Sequence, residues 1–322
     1  MEKQLTERGK KMEKQTSFKN ENGTCSICWK VLPAKNTKAA KVYEEPLYEV
    51  YEHCGKYFIS DFVDRKVAHN ADKPIRHLTV IIVAFVADGN EKGKWIVIDR
   101  TAKQWAKGKG KQCKSPSYNF FGGHVTADID KANLLGVEVP QYILDESAKR
   151  ELSEELLVLS DDNEILLEKW KNGKWTGERI GAKPYETLDL IPIGMSKFDG
   201  KTNLEFSYYY ALATPEKDIQ KLIASDDRKK GKHVALPILL KTEMELLKVP
   251  YVVESPHLEP QGEVCDAITR LWSGGENAKI YEKLVKTIDN YKHSHGAVEK
   301  MRKFMKNKLT QLKTIMRGRF HA

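Results

Sequence analysis

Apolar residues recur in two rhythms along this chain of 322 residues. His77–Val86 is a near-continuous apolar run rich in Val and Ile, the composition of a strand buried on both faces, and Trp95–Asp99 repeats it in short form. Tyr48–Ser60 reads as strand, turn, strand, punctuated by Gly55. Glu164–Trp170 and Lys174–Arg179 read as a strand pair turning at Asn172-Gly173. Leu188–Ile193, Asn203–Leu212 and Val234–Leu240 complete the predicted strands.

The second rhythm is helical. Over Glu146–Val158 the residues Ala148, Leu152, Leu156 and Leu157 fall mainly on one side, and Glu151, Glu154 and Glu155 share another. Pro215–Ser225, Lys241–Lys248 and Pro260–Trp272 also read as helices. After a boundary at Ser273-Gly274-Gly275, Ile280, Leu284, Val285, Ile288 and Tyr291 predict one helix. Val298, Met301, Met305, Leu309, Leu312 and Met316 predict a second, with Lys and Arg opposite. This C-terminal helical hairpin must bury its apolar stripe against the domain or against a second subunit, which makes a homodimer through these helices one expectation.

Composition divides the chain. Hydrophobic residues make up 40%, enough for a real core, yet no apolar run approaches the ~18 residues of a membrane span, so no membrane partner is expected. Residues 1–43 carry ten basic against four acidic residues, and residues 276–322 twelve against four. The middle of the chain is slightly acidic, so the net charge of +9 belongs to the two ends. Basic ends suit solubility or a polyanion such as nucleic acid. Three segments follow: a polar arm at 1–43, a central domain at 44–272 and a basic helical extension at 276–322. Five cysteines, an odd number, and an N-terminus without an apolar core segment suggest a reducing, cytoplasmic location. Cys25 and Cys28 form a Cys-x-x-Cys pair whose nearest partners for zinc would be the adjacent His53 and Cys54; two spare thiols are the plainer reading.

The chemistry concentrates around the acidic helix. Three carboxylates at i, i+3 and i+4 repel one another unless a cation sits among them. A hard divalent ion answers that need, and Arg150 adds a fixed cation able to orient a carboxylate. Glycines at 122 and 123 let the backbone approach a metal or phosphate closely. Together, Gly122-Gly123-His124-Val125 and Arg150-Glu151-Leu152-Ser153-Glu154-Glu155 resemble the two halves of the Nudix box. That motif runs Gly, five residues, Glu, seven residues, Arg-Glu-apolar-x-Glu-Glu-x-Gly-apolar. Here its early Glu falls on Tyr142, its late Gly on Leu157, and an insert at Thr126–Val139 separates the halves. Glu146, Asp145, Asp128 and Asp130 are candidates for the missing carboxylate.

The resemblance implies an α/β (α+β) fold, the Nudix α/β/α sandwich with a mixed sheet. It implies a Mg²⁺- or Mn²⁺-dependent hydrolase in which water attacks phosphorus in a nucleoside diphosphate derivative. It places Glu151, Glu154, Glu155 and the Gly123 carbonyl on metal, and Glu154 or Glu205 as base, with Arg150 holding the helix carboxylates. Arg100 and His124, with Lys109 and Lys111 in the Gly/Lys loop 106–114, are placed on substrate. The order of a hairpin, Arg65-x-x-x-His69 and Arg76-His77 is similar to the entry of the subgroup that includes isopentenyl diphosphate isomerase. His69 and His77 read as structural histidines, with substrate contact the alternative. The leucines at 134 and 135 of the insert are expected to pack beside the site and shape its pocket, leaving the fold tolerant of their loss.

Three other readings stay open. The isomerase needs a Cys just before the glycine-His segment, where Asn119-Phe120-Phe121 has none. A catalytically lapsed Nudix domain that senses a ligand is suggested by Tyr142 and Leu157. In a nucleic-acid-associated module the basic ends would dominate.

Overall fold

The computed structural model describes residues 43–70, 72–100, 118–171, 174–186, 189–199, 203–228, 232–247 and 277–291. The chain falls into two compact units, each assembled from three separated stretches. The first takes Met1–Ile82, Gly122–Glu154 and Gly194–Tyr210; the second takes Val83–Phe121, Glu155–Ile193 and Ala211–Ala322.

The first unit opens with the expected hairpin. Pro46–His53 pairs antiparallel with Lys56–Asp64 through Val50↔Ile59 and His53↔Lys56. Cys54 and Gly55 turn it with φ of 51° and 72°, the positive pair that matches strand twist in a tight hairpin. Asp64 ends the second strand and caps the short helix Arg65–Ala68, its carboxylate accepting from the Lys66 amide. The strand His77–Val86 begins opposite Glu49.

The insert is stitched to this hairpin. Thr126 bridges Leu47, and the Ala127 amide donates to the Pro46 carbonyl at 2.7 Å. Further on, Gly136 and Val139 donate to the carbonyls of Ile59 and Tyr57 at 2.7 and 2.8 Å, and Ile59 donates to Val137. Leu134 is buried. The excursion therefore satisfies its backbone groups on both hairpin strands instead of looping through solvent.

The acidic helix spans Gln141–Glu155, starting earlier and ending earlier than its spacing predicts. Ile143, Leu144, Ser147, Ala148, Glu151 and Leu152 form its buried face. The chain then passes straight into the strand Leu156–Lys171. Leu156 and Leu157 are buried as strand residues, paired with Ala224 and Ile223. The position of the motif's late Gly thus needs no helix-ending glycine.

In the second unit Trp95–Asp99 pairs with the end of His77–Val86, with Tyr118–Asn119 and with Ile238–Lys241, all antiparallel. Leu156–Lys171 and Lys174–Pro184 form a long hairpin around the predicted turn. Leu222–Arg228 runs antiparallel to Leu156–Val158, while Lys232–Leu236 runs parallel to Leu167–Lys169, so this sheet is mixed. Leu157, Leu167 and Ala182 form its core. Residues 277–291 are helical and bury Tyr281, Leu284, Ile288 and Tyr291. Tyr291 donates to Asp189 at 2.8 Å and stands edge-on to Phe85. The stripe of this first C-terminal helix is therefore covered within its own unit.

Two predicted elements are corrected. The helix expected over Pro215–Ser225 is confined to Glu216–Ile219, because Leu222 and Ile223 pair with Val158 and Leu157. The strand expected over Val234–Leu240 is two, Lys232–Leu236 and Ile238–Lys241, divided by Pro237, which has no amide to donate. The fold class is α+β with a mixed sheet, as expected. Among the described residues no helix is long and apolar enough to cross a membrane. The arm at 1–42, Pro260–Trp272, the second helix of the hairpin, Cys25 and Cys28 lie outside the described residues.

Candidate functional site: a histidine cluster beside an arginine-held acidic helix

Three elements of the first unit each end or begin on a histidine. The short helix Arg65–Ala68 delivers His69, whose amide donates back to the Arg65 carbonyl. His77 opens its strand and is fully buried. His124 closes the strand Phe121–His124. Their rings lie together: centroids are 4.8 Å apart for His69 and His77, 5.0 Å for His69 and His124, and 5.1 Å for His77 and His124. One ligand-type atom from each lies within 4.8 Å of the others. The Nε2 atoms of His69 and His124 are 2.9 Å apart.

The hydrogen bonding of His77 fixes its tautomer. Nδ1–H donates to the Ile75 carbonyl at 2.9 Å, which leaves a lone pair on Nε2. That Nε2 is buried without a hydrogen-bond partner among the described residues. Burial pushes the His77 imidazolium down to about 4, with the charges of His69, Arg65 and Arg76 acting the same way. Burial, followed by the charges of His77, Arg65, His69 and Arg150, pushes His124 down to about 2. Both rings are therefore neutral near pH 7, the form that ligates a metal.

Glu205 faces this cluster. Its Oε1 stands 4.0 Å from His77 Nε2 and the residue is buried. Asn203 Nδ2 donates to Oε1, while the Thr79 and Ser207 hydroxyls lie 3.4 Å from Oε2. Thr79 donates its one proton to Ser207 at 2.8 Å, which leaves the Ser207 hydroxyl to donate to Glu205. A carboxylate held by side-chain donors and aimed at an imidazole lone pair is the usual surrounding of a metal-ligating group.

The acidic helix joins the same unit through Arg150. Its Nη2 donates to the His124 carbonyl at 2.9 Å and to Glu151 Oε1 at 2.5 Å. Its Nη1 donates to both oxygens of Glu154, at 3.2 and 3.3 Å. Glu151 is buried, and burial raises its carboxyl above the usual range even against Arg150. Gly123 makes room for it: a Cβ there would stand 2.6 Å from Glu151 Oε2. Gly122, at φ 132°, lets the strand close on its neighbour, since a Cβ would lie 2.1 Å from the Val80 carbonyl oxygen.

The predicted site residues are thus partly gathered. Glu151, Glu154, Arg150, Gly123, His124 and Glu205 all belong to the first unit. Glu155 belongs to the second, where Arg100 donates to it at 3.0 Å. Arg100, expected on substrate, pairs with that carboxylate through Nη2. Lys109 and Lys111 lie outside the described residues. Two of the four alternative carboxylates are engaged elsewhere: Asp145 accepts from Tyr210 and Gln141, and Asp128 pairs with Lys131. Sequence reasoning missed the metal-ligand geometry of His69 and His77. The one available signal was that these two and His124 bracket the first buried strand and the glycine pair.

The fold and site thus define an α+β protein with a partly buried cluster of imidazoles and a buried carboxylate. No family model matches the chain, and no curated protein matches it. Solved structures similar to it include a NUDIX-family hydrolase from Clostridium perfringens, at 14% identity over 54% of this chain and 86% of that one, with a TM-score of 0.24. The E. coli ORF135 protein is similar over 55% of this chain and 81% of its own, at 9% identity and a TM-score of 0.24.

Proposed function

We propose that this chain is a metal-dependent hydrolase of the Nudix type, cleaving the diphosphate linkage of a nucleoside diphosphate derivative by water attack on phosphorus. One observation carries the reading: His69, His77, His124 and Glu205 converge, with neutral imidazoles at 77 and 124 and a hydrogen-bonded carboxylate, and Arg150 ties the acidic helix to the His124 carbonyl. The donor set fits a divalent ion. Three nitrogens favour a borderline ion over Mg²⁺, so Mn²⁺ suits the site better of the two expected. When bound, such an ion supplies charge to the diphosphate and makes water a better nucleophile.

The chain's own residues do the rest. Asn203 and Ser207 orient the Glu205 carboxylate toward the cluster, and Thr79 in turn holds Ser207. Arg150 fixes Glu151 and Glu154 on the helix. Glu154, 41% exposed, is open to water and takes the proton from the nucleophile, whereas Glu151 is buried and keeps the helix in place. Lys109 and Lys111 offer point charges for the phosphates.

A second reading has its own support. Each carboxylate of the helix trio already faces an arginine, Glu151 and Glu154 through Arg150 and Glu155 through Arg100. That leaves less free negative charge for catalytic metal, as a ligand-sensing domain without turnover would have. A panel of nucleoside diphosphate derivatives with Mn²⁺ or Mg²⁺ decides. Release of phosphate or nucleoside monophosphate that Glu154→Gln abolishes supports the hydrolase. Binding without release by the intact chain supports the sensor.

A further inference from the structure

Arg76 joins the backbone of one cluster residue to the backbone of another. Its main chain runs directly into His77, and its own carbonyl accepts from the Val50 amide at 3.0 Å. Its side chain crosses to the strand that carries Glu205. Nη1 donates to the Glu205 carbonyl in the strand Leu204–Thr214 at 3.2 Å and to the Phe198 carbonyl in the preceding strand Leu190–Asp199 at 3.0 Å, and Nη2 pairs with Asp199 at the end of that preceding strand. The guanidinium lies 4.9 Å from the centroid of the buried Phe206 ring, which fixes its plane. Only 18% of the side chain is exposed.

These contacts bear on one dimension of the site. His77 Nε2 and Glu205 Oε1 are 4.0 Å apart. The hydroxyls and the amide around Glu205 set the direction of its carboxylate but not the place from which the side chain starts. Bonding the Glu205 carbonyl sets that place, and the same residue carries His77 on its other side. A forked, planar donor suits this arrangement, since it presents two separate nitrogens in fixed directions, whereas the three donors of an ammonium all start from one freely turning atom.

We infer that Arg76 is a positioning residue of the metal site, setting the spacing of His77 and Glu205 through the Glu205 backbone. The inference rests on the metal reading above. Two simpler roles make different predictions. If Arg76 mattered only as a nearby charge, removing it would tighten binding of a cation. If it mattered only as a stabilising anchor, its loss would lower the melting temperature and leave the affinity of the folded protein unchanged.

The test is Co²⁺ titration of the metal-free full chain, read by visible absorption and calorimetry, on wild type, Arg76→Met and Arg76→Lys. Positioning predicts Co²⁺ binding about tenfold or more weaker in both variants, the range for lost outer partners of ligands, with a changed absorption band. Arg76→Lys keeps the charge and serves as the milder variant should Arg76→Met fold poorly. Unchanged or tighter binding in a folded Arg76 variant overturns the role of Arg76 alone. A wild-type chain that binds no Co²⁺ overturns the metal reading and this role with it.

Discussion

Arg150 Nη2 donates to the His124 carbonyl oxygen at 2.9 Å while the same guanidinium holds Glu151 and Glu154. One side chain thus joins the histidine at the end of a strand to two carboxylates of the helix. The insert of Thr126–Val139 lies between those two elements in sequence, yet the contact closes over it.

Replacing Arg150 by Met should therefore do two kinds of harm. Glu151 would keep a buried carboxylate with no cation beside it, which costs about 1–3 kcal/mol once the 39% exposure of Arg150 is discounted. Glu151→Gln in the same background should recover much of that loss, because the uncompensated charge is gone. Urea denaturation of the two variants measures both effects. Equal stability of Arg150→Met and wild type would mean that the clamp contributes nothing to the fold.

The histidine cluster makes stability depend on pH in a definite direction. Folded His77 and His124 are held down to about 4 and about 2, and unfolding returns both toward their ordinary value near 6.5. Below that pH the unfolded chain takes up protons that the folded chain refuses. The metal-free protein should keep this contribution above about pH 6.5 and lose it as pH falls, the His77 share being lost down to about 4. Glu151, whose carboxyl is raised by burial, works in the opposite sense over the carboxylate range. Denaturation between pH 7.5 and 5, above most of that range, should show the decline, and His77→Asn should flatten it. A pH-independent stability there would contradict neutral burial of the cluster.

The insert was expected to be dispensable to the fold, and its hydrogen bonds argue otherwise. Shortening Asp128–Glu138 to a Gly-containing turn removes the partners of Ile59 and its carbonyl, the Lys56–Glu138 pair and buried Leu134. Burial of one leucine alone is worth about 2 kcal/mol, so the melting temperature should fall by about 4 °C or more. A thermal melt that shifts by less than that would return the insert to the status of a tolerated loop, with substrate preference then its only remaining role.

Much of the frame was legible because it was local. The strands at His77–Val86 and Trp95–Asp99 stand at the predicted bounds, since β-branched runs of that density have no helical competitor. The turn at Cys54-Gly55 followed from one glycine between two strand-like runs. Leu222–Arg228 was misread because Ile219, Leu222 and Ile223 also fit a helical stripe, and the deciding partners, Leu156–Val158, are distant in sequence. The site divides the same way. Arg150, Glu151 and Glu154 were readable as neighbours on one helix. The approach of His69, His77 and His124 depends on a hairpin, a capped helix and a strand meeting, and no spacing in the sequence encodes it.

The central claim is that the imidazoles at 69, 77 and 124, with Glu205, hold a divalent ion. Mn²⁺ titration of the metal-free chain, followed by calorimetry, tests it most directly, with His124→Gln, Glu205→Gln and Glu155→Gln alongside wild type. The account predicts one ion per chain in wild type. It predicts an affinity about a hundredfold weaker in His124→Gln and Glu205→Gln, each having lost a ligand, and nearly unchanged in Glu155→Gln, whose carboxylate already pairs with Arg100. Binding that persists in His124→Gln and Glu205→Gln but disappears in Glu155→Gln would contradict it and return the metal to the acidic helix.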